Sequence, residues 1–155
     1  MRPGTPDAIY PPMITRFRHA GVFAFVVLCV SAPLRAETPL EEQMDTMKAA
    51  FRSIKTAMEA PVDGDKDKYV VFADELRAAA IKAKEFDPKK IGEIPAGDRE
   101  QFLTDYRQSI DQLVVLIDQL KTQLAAGDWD GVRSQMRLIN RAQGAGHERF
   151  RSEEP

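Results

Sequence analysis

The chain has 155 residues, with 22 Lys and Arg against 24 Asp and Glu, two His, one Cys and one Trp. That length is one domain's worth, and a net charge of −2 lacks the dense basic surface that nucleic acid requires. The single Cys29 rules out an intrachain disulfide framework, and no CxxC, CxxCH or Cys/His zinc spacing occurs.

Residues 14–36 read as an export signal. Arg16 and Arg18 form the positive start, Ala20 to Ala32 the apolar run, and Ala36 the small residue before a cut at Glu37. The run is short of the ~20 residues a spanning helix needs, so a cleaved signal and no membrane attachment afterwards are expected, with an uncleaved N-terminal anchor as the alternative. Met13 is an alternative start to Met1, since the stretch before it is Pro-rich. This divides the chain into 1–36, extension and signal, and 37–155, the mature domain. Removing 1–36 takes away Arg2, Arg16, Arg18, Arg35 and Asp7. The remaining 119 residues hold 18 bases and 23 acids, net −5, with no cysteine and one histidine, His147.

The mature segment carries four helical patterns. Thr38-Pro39-Leu40-Glu41 is a capping box with Pro at the first helical position. Leu40, Met44, Met47, Phe51, Ile54 and Met58 follow at steps of three and four, the seam of a bundle helix. Ala60-Pro61-Val62-Asp63-Gly64 ends it. The second pattern uses Tyr69, Phe72, Leu76, Ala79, Ala80, Ala83 and Phe86, and stops at Asp87-Pro88. A long loop with Gly92 and Pro95 leads to Asp98, an expected cap for the third helix. Its seam is Phe102, Tyr106, Ile110, Leu113, Ile117, Leu120 and Leu124. Gly127 is a helix stop and Asp128 the next cap. The fourth helix starts at Trp129 and places Val132, Met136, Ile139, Gln143, His147 and Phe150 on one face. No segment alternates with period two. The expected fold is all-α, an antiparallel up-down-up-down four-helix bundle.

In that topology one end collects the start of helix 1, the end of helix 2, the start of helix 3 and the end of helix 4. Met44 and His147 lie at matching depths there, about 9 and 6 Å from their helix ends at 1.5 Å per residue. Phe86, Tyr106 and Ile110 converge on the same end. A thioether and an imidazole are therefore expected to face each other in an apolar cavity. Haem iron accepts that pair, and the sulfur raises its reduction potential. Two protein ligands fill both axial positions, which is electron-transfer chemistry rather than catalysis. From the residues alone the alternatives stay open. Methionines on a seam also serve as core filler, and a histidine near a helix C-terminus also serves the helix dipole.

The mature chain resembles the cytochrome b-562 family across 38–151. The resemblance is carried by Leu40-Glu41-Glu42-Gln43-Met44, by Tyr106 to Val114 with Ile117-Asp118, and by His147-Glu148-Arg149-Phe150-Arg151. It implies one non-covalent b-type haem held between Met44 and His147. It also implies packing by Met47, Tyr106 and Ile110, with Arg151 facing a propionate at the pocket mouth. Gln143 departs from the family, standing where a basic residue or, in covalent variants, a cysteine is expected; covalent attachment is thereby excluded. Gly144 and Gly146 each cost about 1 kcal/mol of helix relative to Ala, implying a looser last turn. The function so implied is a periplasmic, monomeric electron carrier, not an enzyme, with haem and an unidentified redox protein as partners. A haem-free bundle serving as a binding or stress-response module is the alternative.

Two charged features carry less. Lys82, Lys84, Lys89 and Lys90 cluster around the end of the second helix and are read as a solvated face. Asp63, Asp65 and Asp67 alternate around Gly64, but the bidentate Glu of a calcium loop is missing, with Asp74 near its place.

Overall fold

The computed structural model describes residues 38–152. The leader assigned to 14–36 and its cleavage point lie outside the described residues. Four α-helices occupy Pro39–Ala57 (α1), Lys66–Ala83 (α2), Arg99–Ala126 (α3) and Trp129–Phe150 (α4). No strand occurs among the described residues. Packing runs in sequence order, α1 on α2, α2 on α3 and α3 on α4. The α1/α4 pair, which would close the ring, does not come together as those three pairs do.

The expected caps form at three of four places. Thr38 Oγ1 accepts from the Glu41 N–H at 3.3 Å, and Glu41 Oε2 accepts from the Thr38 N–H at 2.7 Å. Asp128 Oδ1 accepts from the Gly131 N–H at 3.0 Å. A Cβ on Gly131 would fall 2.1 Å from Asp128 Oδ2, so a side chain there would make the Asp128 carboxylate turn. Gly127 closes α3 at φ 74°, the left-handed conformation glycine adopts without a Cβ clash. Asp98 is the exception, for it precedes α3 but its side chain makes no cap hydrogen bond. A 3-10 turn over Ala96–Asp98 already turns the chain into the helix.

Two boundaries differ from the expected ones. α2 ends at Ala83, so Phe86 lies beyond the helix rather than on its seam. The N–H groups of Lys84, Glu85 and Phe86 bond back to the carbonyls of Ile81, Lys82 and Ala83. That three-residue spacing tightens the chain into a turn before Asp87, whose helical conformation Pro88 disfavours. The expected long loop holds two 3-10 turns, Lys89–Glu93 and Ala96–Asp98.

The core is a column of side chains running the length of the bundle. Ile54, Leu76, Ile117, Leu120, Leu124, Val132 and Ile139 are wholly buried in it. The α2 share is unusually small in volume: Ala73, Ala79, Ala80 and Ala83 are buried, whereas Phe72 is only half-buried. Alanine at those positions lets α2 lie close to both neighbours. Ion pairs tie the exterior, Arg77 to Asp118 at 2.7 Å and Lys121 to Asp74 at 2.6 Å joining α2 to α3.

Candidate functional site: the α1/α4 end of the bundle

Phe150 anchors the end of α4. Its ring meets Phe102 at 5.3 Å and Tyr106 at 5.5 Å, both edge-on, the geometry aromatic quadrupoles favour. Tyr106 is buried, and its hydroxyl donates to the Ala83 carbonyl at 3.0 Å. One tyrosine thus links the ends of α2, α3 and α4. Burial first, and the Asp87 carboxylate second, push its phenol up to about 12, so it stays a neutral donor. Outside this cluster Arg149 pairs with Asp105, and its guanidinium lies 5.3 Å from the Phe150 ring.

The residues expected at the site gather at this end with differing exposure. Met47 and Ile110 are buried, Met44 and Phe86 are half-buried, and Arg151 is exposed. Lys82 Nζ stands 5.7 Å from the Phe86 ring. His147 is exposed, which corrects the expectation that it faces Met44 inside an enclosed cavity. The helical phase explains why. The α4 core stripe passes through Ile139 to Phe150, and His147 lies at its edge, about 60° from Phe150 at 100° per residue. Gly144 and Gly146 add no cover, since a Cβ on either would meet nothing within 4 Å.

That edge is the side of α4 turned away from α3. Gln135 and Arg149 mark the α3 side: the Gln135 amide donates to the Leu116 carbonyl at 2.9 Å, and Arg149 pairs with Asp105. His147 is turned about 120° from the first and 160° from the second. On α1, Ala50 is buried, while Lys48 and Lys55 are exposed. Met44 is turned about 120° from Ala50 and lies within about 40° of both lysines. Methionine and histidine therefore occupy the uncovered flanks of the two helices that do not close on each other. A separate groove of about 500 Å³ between α3 and α4 runs past Ser109, Leu116, Ala142 and Arg149. It lies on the opposite flank of α4 from His147 and contains neither residue.

The donor set suits haem better than a bare ion. Among the described residues no group of three His, Cys, Asp or Glu side chains could hold a metal. One thioether and one imidazole make only two ligands, and a porphyrin provides the four equatorial nitrogens itself. The surrounding Met47, Ile110, Tyr106 and Phe86 are apolar or aromatic, and the glycine positions leave room beside His147. The residues present fit the group.

Sequence reasoning passed over Phe102 as part of this wall. Its signal was present, one turn before Tyr106 on the same seam. The basic cluster, read as a solvated face, is ion-paired and only partly exposed: Lys82 pairs with Glu85, Lys84 with Asp111 and Lys89 with Glu41, while Lys84 and Lys90 are half-buried. Asp63 accepts from the Trp129 indole at 3.2 Å and Asp65 pairs with Lys68 at 2.8 Å, so both serve the fold at the far end.

Four antiparallel helices with one apolar, open-edged end define a class, the small all-α four-helix bundles. The chain belongs to the cytochrome b562 family, whose sequence profile matches residues 39–151. That family is one of haem-binding electron carriers. No curated protein matches the chain. No described helix is long and apolar enough to cross a membrane.

Proposed function

We propose that this protein is a periplasmic one-electron carrier that holds one non-covalent b-type haem between α1 and α4. Met44 and His147 would be the residues that hold its iron, one through sulfur and the other through a ring nitrogen. The observation that supports this most is helical phase: Met44 and His147 each lie on an uncovered flank of their helix, in the pair α1 and α4 that does not close as the consecutive pairs do. When bound, haem supplies a reversible ferric/ferrous step, and a thioether ligand favours the ferrous side.

The chain's own residues divide the remaining work. His147 offers a ring nitrogen from an exposed position, leaving the other for a carbonyl or water. Met44 offers sulfur from a half-buried one. Met47 and Ile110 keep water from the inner edge, and Phe86 closes the end. Tyr106, its hydroxyl held by Ala83, contributes its ring rather than a polar group. Arg151, one turn past His147, balances a propionate. Gln143 offers no thiol, so the group is held without a covalent bond. The leader at 14–36 supports export, and a mature chain beginning at Glu37 is the expected product. We read the protein as a monomer.

The test is spectroscopic. Haem added to haem-free protein is expected to give a one-to-one complex with sharp low-spin bands on reduction. His147→Ala is expected to abolish them, because no second histidine exists in 37–155. Protein that rejects added haem overturns the reading in favour of a haem-free binding module.

A further inference from the structure

The protein is acidic overall, yet the face formed by α1 and α4 is basic. Lys48, Arg52 and Lys55 on α1 are exposed, as are Arg133, Arg137 and Arg141 on α4. The acids on that face are Asp45, Glu59, Asp130 and Glu148, which leaves six cations against four carboxylates, with Lys48 paired to Asp45 and Arg133 to Asp130. Most other cations of the bundle have a carboxylate at salt-bridge distance, but Arg52, Lys55, Arg137 and Arg141 have none among the described residues. Arg133, Arg137 and Arg141 follow one another at intervals of four, which aligns them in one ridge on the outer surface of α4. Like charges at that spacing repel and weaken a helix, so the ridge costs the isolated fold stability.

We infer that this ridge, with Arg52 and Lys55 across the groove, is the docking surface for a protein partner that presents a carboxylate-rich face. Charge complementarity carries the assignment. An opposite charge relieves the arginine–arginine repulsion and gains electrostatic steering. Arginine also pairs with carboxylates through two parallel hydrogen bonds, which fixes orientation. A membrane surface fits less well. The one large apolar side chain exposed on α4 is Leu138, 36 % exposed and turned about 100° from Arg137, so no aromatic or broad apolar strip is there to enter a bilayer. The inference rests on the haem reading for its purpose, since it places the partner against the groove that carries Met44 and His147.

The experiment uses the isotopically labelled, haem-loaded protein and an acidic flavodoxin as the probe. The absorption spectrum first reports haem, so failure of the haem reading shows there and not in the docking map. Amide shifts on adding flavodoxin are expected to centre on 48–55 and 133–141 and to shrink as salt rises from 20 to 300 mM. The double variant Arg137→Ser, Arg141→Ser is expected to keep the absorption spectrum and bind flavodoxin about tenfold more weakly. Shifts centred on α2 or α3, or affinity unchanged in the double variant, overturn the inference. Vesicles of equal phosphatidylglycerol and phosphatidylcholine form the second arm. Binding to vesicles without binding to flavodoxin overturns it in favour of a lipid surface.

Discussion

Phe150 of α4 and Tyr106 of α3 meet edge-on at 5.5 Å with their planes 71° apart, three residues beyond the only histidine in 37–155. This contact holds the last turn of α4, which the two glycines before His147 otherwise leave uncovered. Replacing Phe150 by Ala removes a side chain only 7 % exposed and is expected to cost about 3 kcal/mol, read as a fall in the urea midpoint. Haem affinity is expected to fall with it, because the turn bearing His147 loses its anchor. Phe150→Leu, which refills most of the volume, is expected to recover much of both.

The glycines divide by conformation, and substitutions should follow that division. Gly144 and Gly146 lie in helix with open space where a Cβ would go. Gly144→Ala and Gly146→Ala are each expected to raise stability by about 0.5–1 kcal/mol. Gly127 sits at φ 74°, with Lys66 Cδ 3.2 Å from its would-be Cβ. Gly127→Ala is expected to lower stability by about 1 kcal/mol or more. Thermal unfolding of the three variants checks the opposite signs.

Much of this was legible in the residues, and the limits have physical causes. The α3 seam from Tyr106 to Leu124 is buried as its period indicates, because six apolar residues at steps of three and four fix a helical face well. The capping box at Thr38 and the stop at Gly127 are local chemistry and needed no tertiary information. The end of α2 was less legible: Phe86 keeps the spacing, but backbone bonding tightens after Ala83. Exposure of His147 was illegible for another reason. A residue at the edge of a stripe is covered or bare according to how closely the adjacent helix approaches, and that α1 and α4 stay apart is tertiary information. The ion pairs that neutralise Lys82, Lys84 and Lys89 depend on the same kind of distance.

Glu41 makes the start of α1 acid-sensitive. The Lys89 ammonium at 2.7 Å, then the Thr38 N–H, hold its carboxyl at about 2 instead of 4.5. A depressed carboxylate contributes stability that is fully present above the unfolded value and is lost as pH falls through the folded one. Glu41→Gln is therefore expected to destabilise at pH 7. Its deficit is expected to shrink between pH 4.5 and 2 and to vanish below, as denaturation followed across pH would show. High salt should reduce the deficit at pH 7, since the pair is partly exposed and screened.

Met44 and Met47 compete for one role, and their burial separates them. Met47 is 3 % exposed and sits on the core stripe with Ala50 and Ile54, so its thioether fills space between helices. Met44, one turn nearer the helix start, is half-buried on the flank that faces away from the covered side of α1. Met44, unlike Met47, lies on the same flank of α1 as the exposed Lys48 and Lys55. Met47→Ala is expected to behave as a core truncation, costing about 2–4 kcal/mol while haem bound to the surviving fold stays low-spin. Met44→Ala is expected to change folding stability little. It should convert the haem complex to a five-coordinate, high-spin form with a lowered reduction potential, since the sulfur that favours ferrous iron is gone. Absorption spectra of the reduced variants, taken beside their urea curves, separate the two outcomes. A low-spin Met44→Ala with a high-spin Met47→Ala would move the ligand one turn inward.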